Sequence, residues 1–247
     1  MANRIDILNK INEWLQPENF QDYCPNGLQV EGKSDVKTII SGVTASKALI
    51  EAAIDAHADM ILVHHGYFWK GEDQRIQGMK RERLKQLLDN DINLVAYHLP
   101  LDDHPEYGNN RRLADVLDIR NARPLGGLVW EGELAEPMSP EAFGRHIAEQ
   151  LHREPLWVGE GPSMIKRVGW CTGAAQGFIN NALDAGLDAY ISGEISEPTT
   201  HTARECGIHY YAAGHHATER YGVQALGKAL AEEFGLIHKF IDCDNPV

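Results

Sequence analysis

Apolar and polar positions in the first half of the chain follow two different periods. Continuous apolar runs at VKTIISGV (36–43), ADMILVHH (58–65) and INLVAYH (92–98) predict buried strands. Between them, SKALIEAAIDAH (46–57) and MKRERLKQLLDND (79–91) carry apolar residues at helical spacing. Strands that alternate with helices of this length indicate βαβ units and a mostly parallel sheet, so the predicted fold class is α/β.

A second stretch of the chain repeats this pattern. IKRVGWCTGAAQGFINNALDAGLDAYISGE (165–194) aligns without a gap with residues 36–65 at an offset of 129, and seven positions are identical. The continuation agrees, because IHYYAAGHHATE (208–219) resembles residues 92–102 with one residue inserted. Shared patterning alone could produce part of this likeness. We interpret it as an internal duplication that produced two similar three-layer α/β lobes.

The duplication divides the chain into residues 1–125 and residues 126–247. Within the second lobe, Ser139-Pro140-Glu141 has the cap residue, first-turn proline and acid that are typical of a helix start. The C-terminal helix (221–234) and the strand IHKFID (237–242) are expected to complete the second lobe. The alternative is that this C-terminal segment packs back on the first lobe.

Composition narrows the possible partners. The chain has 247 residues with a net charge of -13, which argues against duplex nucleic acid and anionic membrane surfaces as partners. A small substrate remains possible, because a bound metal ion reverses the local sign of the field.

The four cysteines form no C-x-x-C pair, and the first residues predict an amphipathic helix instead of a signal peptide. We therefore expect a cytoplasmic protein with reduced thiols.

Histidines mark the carboxyl ends of the predicted strands, where ligands bind in open α/β sheets. Two of them have a carboxylate four residues later. If the lobes face each other, the set converges in a cleft as metal ligands: His64, His65, His98, Asp102, His215 and Glu219. Imidazole and carboxylate groups suit divalent zinc, iron, manganese or nickel. Six ligands suit two ions with a bridging carboxylate better than one ion that keeps a position open for water.

Simpler interpretations remain for each residue alone. A single strand-end histidine is more often structural, His98 with Asp102 is equally a local hydrogen-bonded pair, and Glu219 equally complements a helix N-terminus. Neighbouring residues on a strand point to opposite faces, so His64 and His65 share an ion only if the strand ends there and Gly66 frees the backbone. The joint occurrence of these motifs at three strand ends favours the metal site.

Other residues near these motifs are weaker candidates. Glu194 occupies the position of His65 in the second copy and is a candidate general acid or base, or a structural carboxylate. Thr44 either caps the next helix, the preferred interpretation, or contacts a ligand. PNGLQVEG (25–32) is expected to carry no chemistry. His201 is a candidate to line the cleft and His104 to shape its entrance, whereas His216 is next to a proposed ligand but has no carboxylate partner of its own. Three aromatic residues either stack on a planar substrate or pack the loop, with packing preferred: Tyr67, Phe68 and Trp69.

Six motifs together resemble the NGG-one-interacting factor three-like family, whose members are also called GTP cyclohydrolase type 2 homologues, in its compact bacterial branch without an inserted domain. The motifs are YCPNGLQVEG, SGVTAS, LVHHGYFWKG, YHLPLD, SGE and GHHATE. The resemblance implies two related α/β lobes, a dinuclear metal centre between them and a toroid-shaped homohexamer. It places the metal ligands on His64, His65, His98, Asp102, His215 and Glu219. His216 stands where the family more often has an aromatic residue, and the spacing to Glu219 favours His215 as the ligand.

The leading functional hypothesis is a dinuclear metal-dependent hydrolase that acts on a small-molecule nucleotide. The family name implies opening of the guanine imidazole ring of GTP with formate release, and hydrolysis of damaged nucleotides is related chemistry. No G-x-x-x-x-G-K-[ST] phosphate loop is present. The alternatives are a metal-dependent phosphoesterase and a non-enzymatic metal-binding ring that acts as an interaction platform or metal carrier.

Overall fold

The computed structural model describes every residue from Met1 to Val247 and contains two compact units. Unit 1 comprises Met1–Tyr107 and Gly222–Asp244, and unit 2 comprises Gly108–Tyr221 and Asn245–Val247. Both units contain helices and a mixed sheet, so the predicted α/β class is confirmed. No helix in the protein has both the length and the apolar character needed to cross a membrane.

Thirteen strands, ten α-helices and two short 3₁₀-helices, Pro17–Asn19 and Gln176–Phe178, form the two units. The strands are β1 Ala2–Asn3, β2 Gly27–Val30, β3 Asp35–Val36, β4 Thr38–Thr44, β5 Met60–His65, β6 Asn93–Ala96, β7 Ile119–Gly126, β8 Val129–Met138, β9 Leu156–Val158, β10 Ile165–Trp170, β11 Ala189–Ser192, β12 His209–Ala212 and β13 Ile237–Phe240. The helices are α1 Arg4–Leu15, α2 Lys47–Asp55, α3 Gly78–Asp89, α4 Leu99–Asp103, α5 Asn109–Val116, α6 Pro140–Leu151, α7 Ile179–Asp184, α8 Glu197–Cys206, α9 His215–Thr218 and α10 Arg220–Phe234.

The main sheet of unit 1 has the strand order β13-β4-β5-β6-β2. The first four strands are parallel neighbours, and β2 pairs antiparallel with β6. The apolar runs of β4, β5 and β6 are buried, because helices cover both faces of a parallel sheet. On one face α1 contributes Ile7 and Ile11, and on the other α2 contributes Leu49 and Ile50.

The sheet of unit 2 has the order β7-β8-β10-β11-β12-β9. Its three central strands, β10, β11 and β12, are parallel, and the flanking pairs are antiparallel. Trp130, Phe143, Trp170 and Tyr211 are fully or almost fully buried in its core. The predicted helix start at Ser139 is confirmed, since the Ser139 side chain accepts a hydrogen bond from the amide of Ala142 at the start of α6.

The units differ from the expected lobes at both boundaries. The change of unit falls at Tyr107–Gly108 and not at 125–126, because Leu113 of α5 and Ile119 of β7 pack into the core of unit 2. The C-terminal segment belongs to unit 1, as the alternative expectation had it. Strand β13 pairs parallel with β4, and the buried face of α10 packs with α1.

Candidate metal-binding site

Three histidines converge at the carboxyl ends of β5 and β6 in unit 1. Strand β5 ends at His65, and His98 follows β6 immediately before α4. The ring centroids of His64 and His65 are 4.5 Å apart, and that of His98 lies 5.0 Å from His64 and 5.7 Å from His65. One nitrogen of each ring lies within 4.8 Å of the others. The two adjacent histidines therefore turn toward the same side at the end of the strand.

In all three rings Nδ1 already has a partner, so Nε2 is the nitrogen presented to a ligand. Nδ1 of His64 lies 3.0 Å from the carbonyl oxygen of Tyr97, and Nδ1 of His65 lies 3.3 Å from Oγ1 of Thr44. Nδ1 of His98 lies 2.6 Å from Oδ1 of Asp22. A partner on Nδ1 sets the orientation of an imidazole, and a partner that can only accept, such as a carbonyl or carboxylate oxygen, also sets its tautomer. Unit 1 thus offers three oriented Nε2 atoms.

A carboxylate joins this cluster from the first turn of α4. Asp102 is buried, and its Oδ1 lies 3.4 Å from Nε2 of His64. The helical turn after His98 brings it there, because the amide of Asp102 donates a hydrogen bond to the carbonyl of His98. The structure therefore places four of the six predicted ligands together within unit 1.

The carboxylate that holds His98 comes from a loop that the sequence analysis overlooked. Oδ2 of Asp22 accepts hydrogen bonds from the amide of Leu99 and from Nδ2 of Asn26, both at 2.9 Å. Oδ1 of Asn26 in turn accepts a hydrogen bond from the amide of His98 at 2.8 Å. Burial raises the pKa of Asp22, but its hydrogen bond to His98 and the further bonds from Asn26 and Tyr23 outweigh burial and lower it to about 2. Asn26, in the segment PNGLQVEG, therefore has a structural role beside His98, and the expectation that the segment carries no chemistry of its own stays a prediction.

Gly66 follows the histidine pair for a different reason from the one expected. Its φ is not positive, but a Cβ there would lie 2.1 Å from Oε1 of Gln29 and 2.7 Å from Cβ of Ala96. Gln29 needs this position, since its Oε1 accepts a hydrogen bond from the amide of Tyr67 at 2.6 Å. Glycine therefore permits a close approach that anchors the loop after His65 to β2.

The aromatic residues after Gly66 have different environments. Tyr67 is buried, and its hydroxyl donates a hydrogen bond to the carbonyl of Ala45, so packing is its role. Trp69 lies edge-on to His98 with ring centroids 5.0 Å apart, and it donates from Nε1 to the carbonyl of Gly66. Phe68 is partly exposed. Trp69 thus forms a wall of the histidine cluster.

Several weaker candidates do not belong to the predicted ligand set. The capping interpretation of Thr44 is wrong, since Ser46 caps α2 by accepting a hydrogen bond from the amide of Leu49. His104 accepts a hydrogen bond from the amide of Tyr107 and shapes the chain after α4. His201 is exposed on α8, and His216 is buried in α9.

In unit 2, His215 lies between two carboxylates. Its Nδ1 is 2.7 Å from Oε1 of Glu194, and its Nε2 is 3.1 Å from Oε2 of the buried Glu219. Burial lowers the pKa of His215, but the hydrogen bonds and negative charges of Glu219 and Glu194 outweigh it and raise the pKa to about 9. This position therefore favours a positive charge. The choice of His215 over His216 as the metal ligand stays a prediction.

A glycine loop lies against this second group. Gly173 has φ +68°, and a Cβ there would lie 2.1 Å from Oε1 of Glu219 and 3.2 Å from Nε2 of His215. The loop is held in place, because the amide of Gly173 donates to Oγ1 of Thr218 and its carbonyl accepts from Oγ of Ser192. The absence of a side chain at Gly173 therefore lets the carboxylate of Glu219 and the imidazole of His215 lie close against the loop.

The donor atoms of both units suit divalent ions of the zinc, iron and manganese type. Imidazole nitrogen and carboxylate oxygen both bind such ions well. Cys24 lies near Asp22 and His98, but burial raises the pKa of its thiol to about 12, so the thiolate needed for metal binding is disfavoured. Clustered histidine and acid groups in this chain therefore fit metal ions without sulfur ligands. Each of the six predicted ligands belongs either to the cluster in unit 1 or to the pair His215 and Glu219 in unit 2.

These features define an α/β protein with possible metal-binding groups at the ends of its strands. The chain belongs to the Duf34/NIF3 (NGG1p interacting factor 3) family, whose model matches residues 2–246, so the family predicted from the motifs is confirmed. A relative from Pseudomonas aeruginosa named GTP cyclohydrolase 1 type 2 homolog is 57% identical over 245 residues, which cover 97% of each chain.

Solved structures agree with this assignment. A structure described as protein ybgI, of unknown function, matches with a TM-score of 0.97 and 52% identity over 100% of both chains. The protein TTHA1606 from Thermus thermophilus matches with a TM-score of 0.93 and 31% identity, again over 100% of both chains. The fold therefore corresponds to that of solved relatives along its whole length.

Proposed function

We propose that this protein is a metal-dependent hydrolase with a dinuclear centre. The observation that carries the proposal is the cluster of three imidazoles in unit 1, each with Nδ1 engaged and Nε2 presented to one place beside the buried Asp102. Packing alone does not explain why three histidine side chains converge on one place. A set of oriented Nε2 atoms next to a carboxylate is typical of a divalent metal site.

The proposed centre holds two ions. Its ligands are His64, His65, His98 and Asp102 from unit 1, and His215 and Glu219 from unit 2. Four ligands from one unit and two from the other exceed what a single catalytic ion uses while keeping a position for water, which supports two ions. The arrangement in which both units contribute to one centre rests on this ligand count and on the family resemblance.

Equivalent internal contacts support a duplication as the origin of the two units. Each unit has three consecutive parallel strands connected by helices. A carboxylate at the start of the second strand accepts hydrogen bonds from two successive amides of the first, at positions 129 residues apart: Asp59 from Lys37 and Thr38, and Asp188 from Lys166 and Arg167. We propose that these contacts were inherited from one ancestral unit.

When bound, the ions supply Lewis-acid activation of water and of an electrophilic substrate atom. The chain's own residues orient the ligands and exclude bulk water. Glu194 was predicted to be a general acid or base, and that role stays a prediction. Its contact with Nδ1 of His215 supports orientation of that imidazole as a second role.

The proposed substrate is a nucleotide, because the curated relatives carry the name GTP cyclohydrolase 1 type 2 homolog. The reaction is opening of a purine ring with formate release, or hydrolysis of a damaged nucleotide. Two aromatic side chains support a planar ligand, since Trp69 and the exposed Tyr23 both lie edge-on to His98. We also propose that the chain assembles as a toroidal homohexamer, which native mass spectrometry tests directly.

The decisive experiment combines metal content with turnover. Protein purified without added metal is analysed for bound ions, then loaded with zinc, iron or manganese and assayed with GTP, oxidised nucleotides and a phosphodiester. The variant His98→Ala is expected to lose metal and activity, whereas the exposed control His57→Asn keeps both. Asparagine suits the control, because His57 has a positive φ that asparagine adopts readily.

Each outcome assigns a function. Release of formate or of a hydrolysed nucleotide supports the proposal, and cleavage of only the phosphodiester assigns a phosphoesterase. Bound metal without turnover of any substrate assigns the metal-binding platform instead. A wild-type protein that binds none of the ions contradicts the proposal altogether.

A further inference from the structure

We propose that Asp22 is a positioning residue that fixes the tautomer and the orientation of His98. The inference rests on the proposed function in one respect, namely that Nε2 of His98 binds a metal ion. Asp22 itself is 76 residues away from His98 in the chain and belongs to a loop that no motif for metal binding would single out.

The carboxylate of Asp22 is buried and is held in place by hydrogen bonds. The side chain is only 3% exposed. Its two oxygens accept hydrogen bonds from Nδ1 of His98, Nδ2 of Asn26 and the amides of Tyr23 and Leu99. A buried carboxylate is unfavourable unless such donors satisfy it, so these contacts specify one position for the group.

This position determines which nitrogen of His98 carries the proton. An ionised carboxylate only accepts hydrogen bonds, so the neutral ring must keep its proton on Nδ1. The Nε2 lone pair is then exposed toward His64 and His65. The negative charge of the carboxylate also makes the ring a stronger ligand for a metal cation.

His98 differs in this respect from the other two imidazoles of the cluster. The Nδ1 partners of His64 and His65 are the neutral carbonyl of Tyr97 and the neutral hydroxyl of Thr44, whereas that of His98 is a carboxylate. Because charged partners make hydrogen bonds roughly twice as strong as neutral ones, Asp22 should affect metal binding more than the other Nδ1 partners do.

Asp22 also connects the imidazole to the chain that follows it. One oxygen holds the ring of His98, while the other holds the amide of Leu99, the first residue of α4. Helix α4 carries Asp102, the carboxylate beside His64. A single side chain therefore sets the ring of one predicted ligand and the start of the helix that carries another.

The test measures zinc affinity by chelator competition and the tautomer of His98 by nitrogen NMR on the metal-free protein. The variant Asp22→Asn keeps the size of the side chain and removes its charge. The matched control Asn26→Ala removes the hydrogen bonds that Asn26 makes to the amide of His98 and to Oδ2 of Asp22, and so loosens the same loop, but leaves the carboxylate on Nδ1. If Asp22→Asn fails to fold, Asp22→Ser replaces it.

We expect Asp22→Asn to weaken zinc binding about 10- to 100-fold and to redistribute the proton between the ring nitrogens of His98. Asn26→Ala should keep the proton on Nδ1. Unchanged zinc affinity in Asp22→Asn would overturn the assignment, as would an equal loss in both variants with an unchanged tautomer.

The two proposals fail separately in this experiment. If the wild-type protein binds no zinc, the proposed function fails, but NMR on the metal-free protein still decides the role of Asp22. A wild-type proton on Nδ1 that is redistributed in Asp22→Asn supports positioning, and an unchanged tautomer refutes it.

Discussion

The variant Gly173→Ala tests whether the glycine loop of unit 2 exists to admit a carboxylate. An added Cβ would lie 2.1 Å from Oε1 of Glu219, whereas real Cβ contacts stay above 3.0 Å. Glu219 is buried and its Oε2 lies 3.1 Å from Nε2 of His215, so a shift of its carboxylate disturbs this contact. We therefore expect this substitution to impair metal binding by displacing a predicted ligand whose own chemistry it leaves unchanged.

Two separate costs contribute to the expected effect. The left-handed backbone at Gly173 costs alanine about 1–2 kcal/mol in the free energy of unfolding. Displacement of Glu219 by about 1 Å is a misplacement that weakens metal binding by roughly 10- to 100-fold. That change in affinity corresponds to about 1.4–2.8 kcal/mol.

Gly186→Ala is the matched control for the backbone cost. Gly186 has φ +65°, against +68° for Gly173, and a Cβ there would meet no atom within 4 Å. Both variants should therefore lose a similar part of the unfolding free energy from the backbone. Only Gly173→Ala should also lose metal affinity.

The assay pairs urea unfolding of the metal-free protein with chelator competition for zinc. Wild type, Gly173→Ala and Gly186→Ala are compared in the same buffer. If Gly173→Ala binds zinc as tightly as Gly186→Ala, the space beside Glu219 has no part in metal binding and the reasoning from the glycine loop is wrong.

The remaining predictions concern stability and are measured by urea unfolding of the metal-free protein. Gly144→Ala should stabilise by roughly 0.5–1 kcal/mol, because a Cβ in this helix meets Tyr211 at an ordinary distance of 3.5 Å. Gly227→Ala should instead destabilise by about 1–3 kcal/mol, because the Cβ would lie 2.2 Å from Nε2 of His238. Burial lowers the pKa of His238 below its value in the unfolded chain. Its contribution to the free energy of unfolding is therefore present above about pH 6.5 and is lost as the pH falls through the lowered pKa. His238→Gln should flatten this dependence of stability on pH. Ser139→Ala should cost about 1 kcal/mol, since it removes the cap of α6.

Each of these predictions has a result that contradicts it. Equal effects of alanine at Gly144 and Gly227 would show that the ring of His238 yields without cost. A pH profile that is the same for wild type and His238→Gln would assign the dependence to other groups. An unchanged free energy of unfolding in Ser139→Ala would show that the cap is replaced by water.

Local patterns were sufficient for the elements and for most of the candidate site. The strand that ends at His65 and the strand that precedes His98 were recognisable, because a buried strand between two helices leaves a continuous apolar run. The end of such a run is visible in the sequence, and so are the imidazoles and acids that follow it. The clustering of His64, His65 and His98 then follows from the rule that parallel strands end at the same edge.

The sequence alone determined the α/β class, the family and the residues that are candidates for metal binding, because periodicity and strand ends are local properties. Only the tertiary structure decided that Asp22 holds His98, that Gly66 makes room for Gln29 and that β13 joins β4. These contacts join segments far apart in the chain, and their partners have no periodic signal that would relate them. The order of the strands in the sheet decides which loop side chain contacts which imidazole. That order exists only in the folded chain.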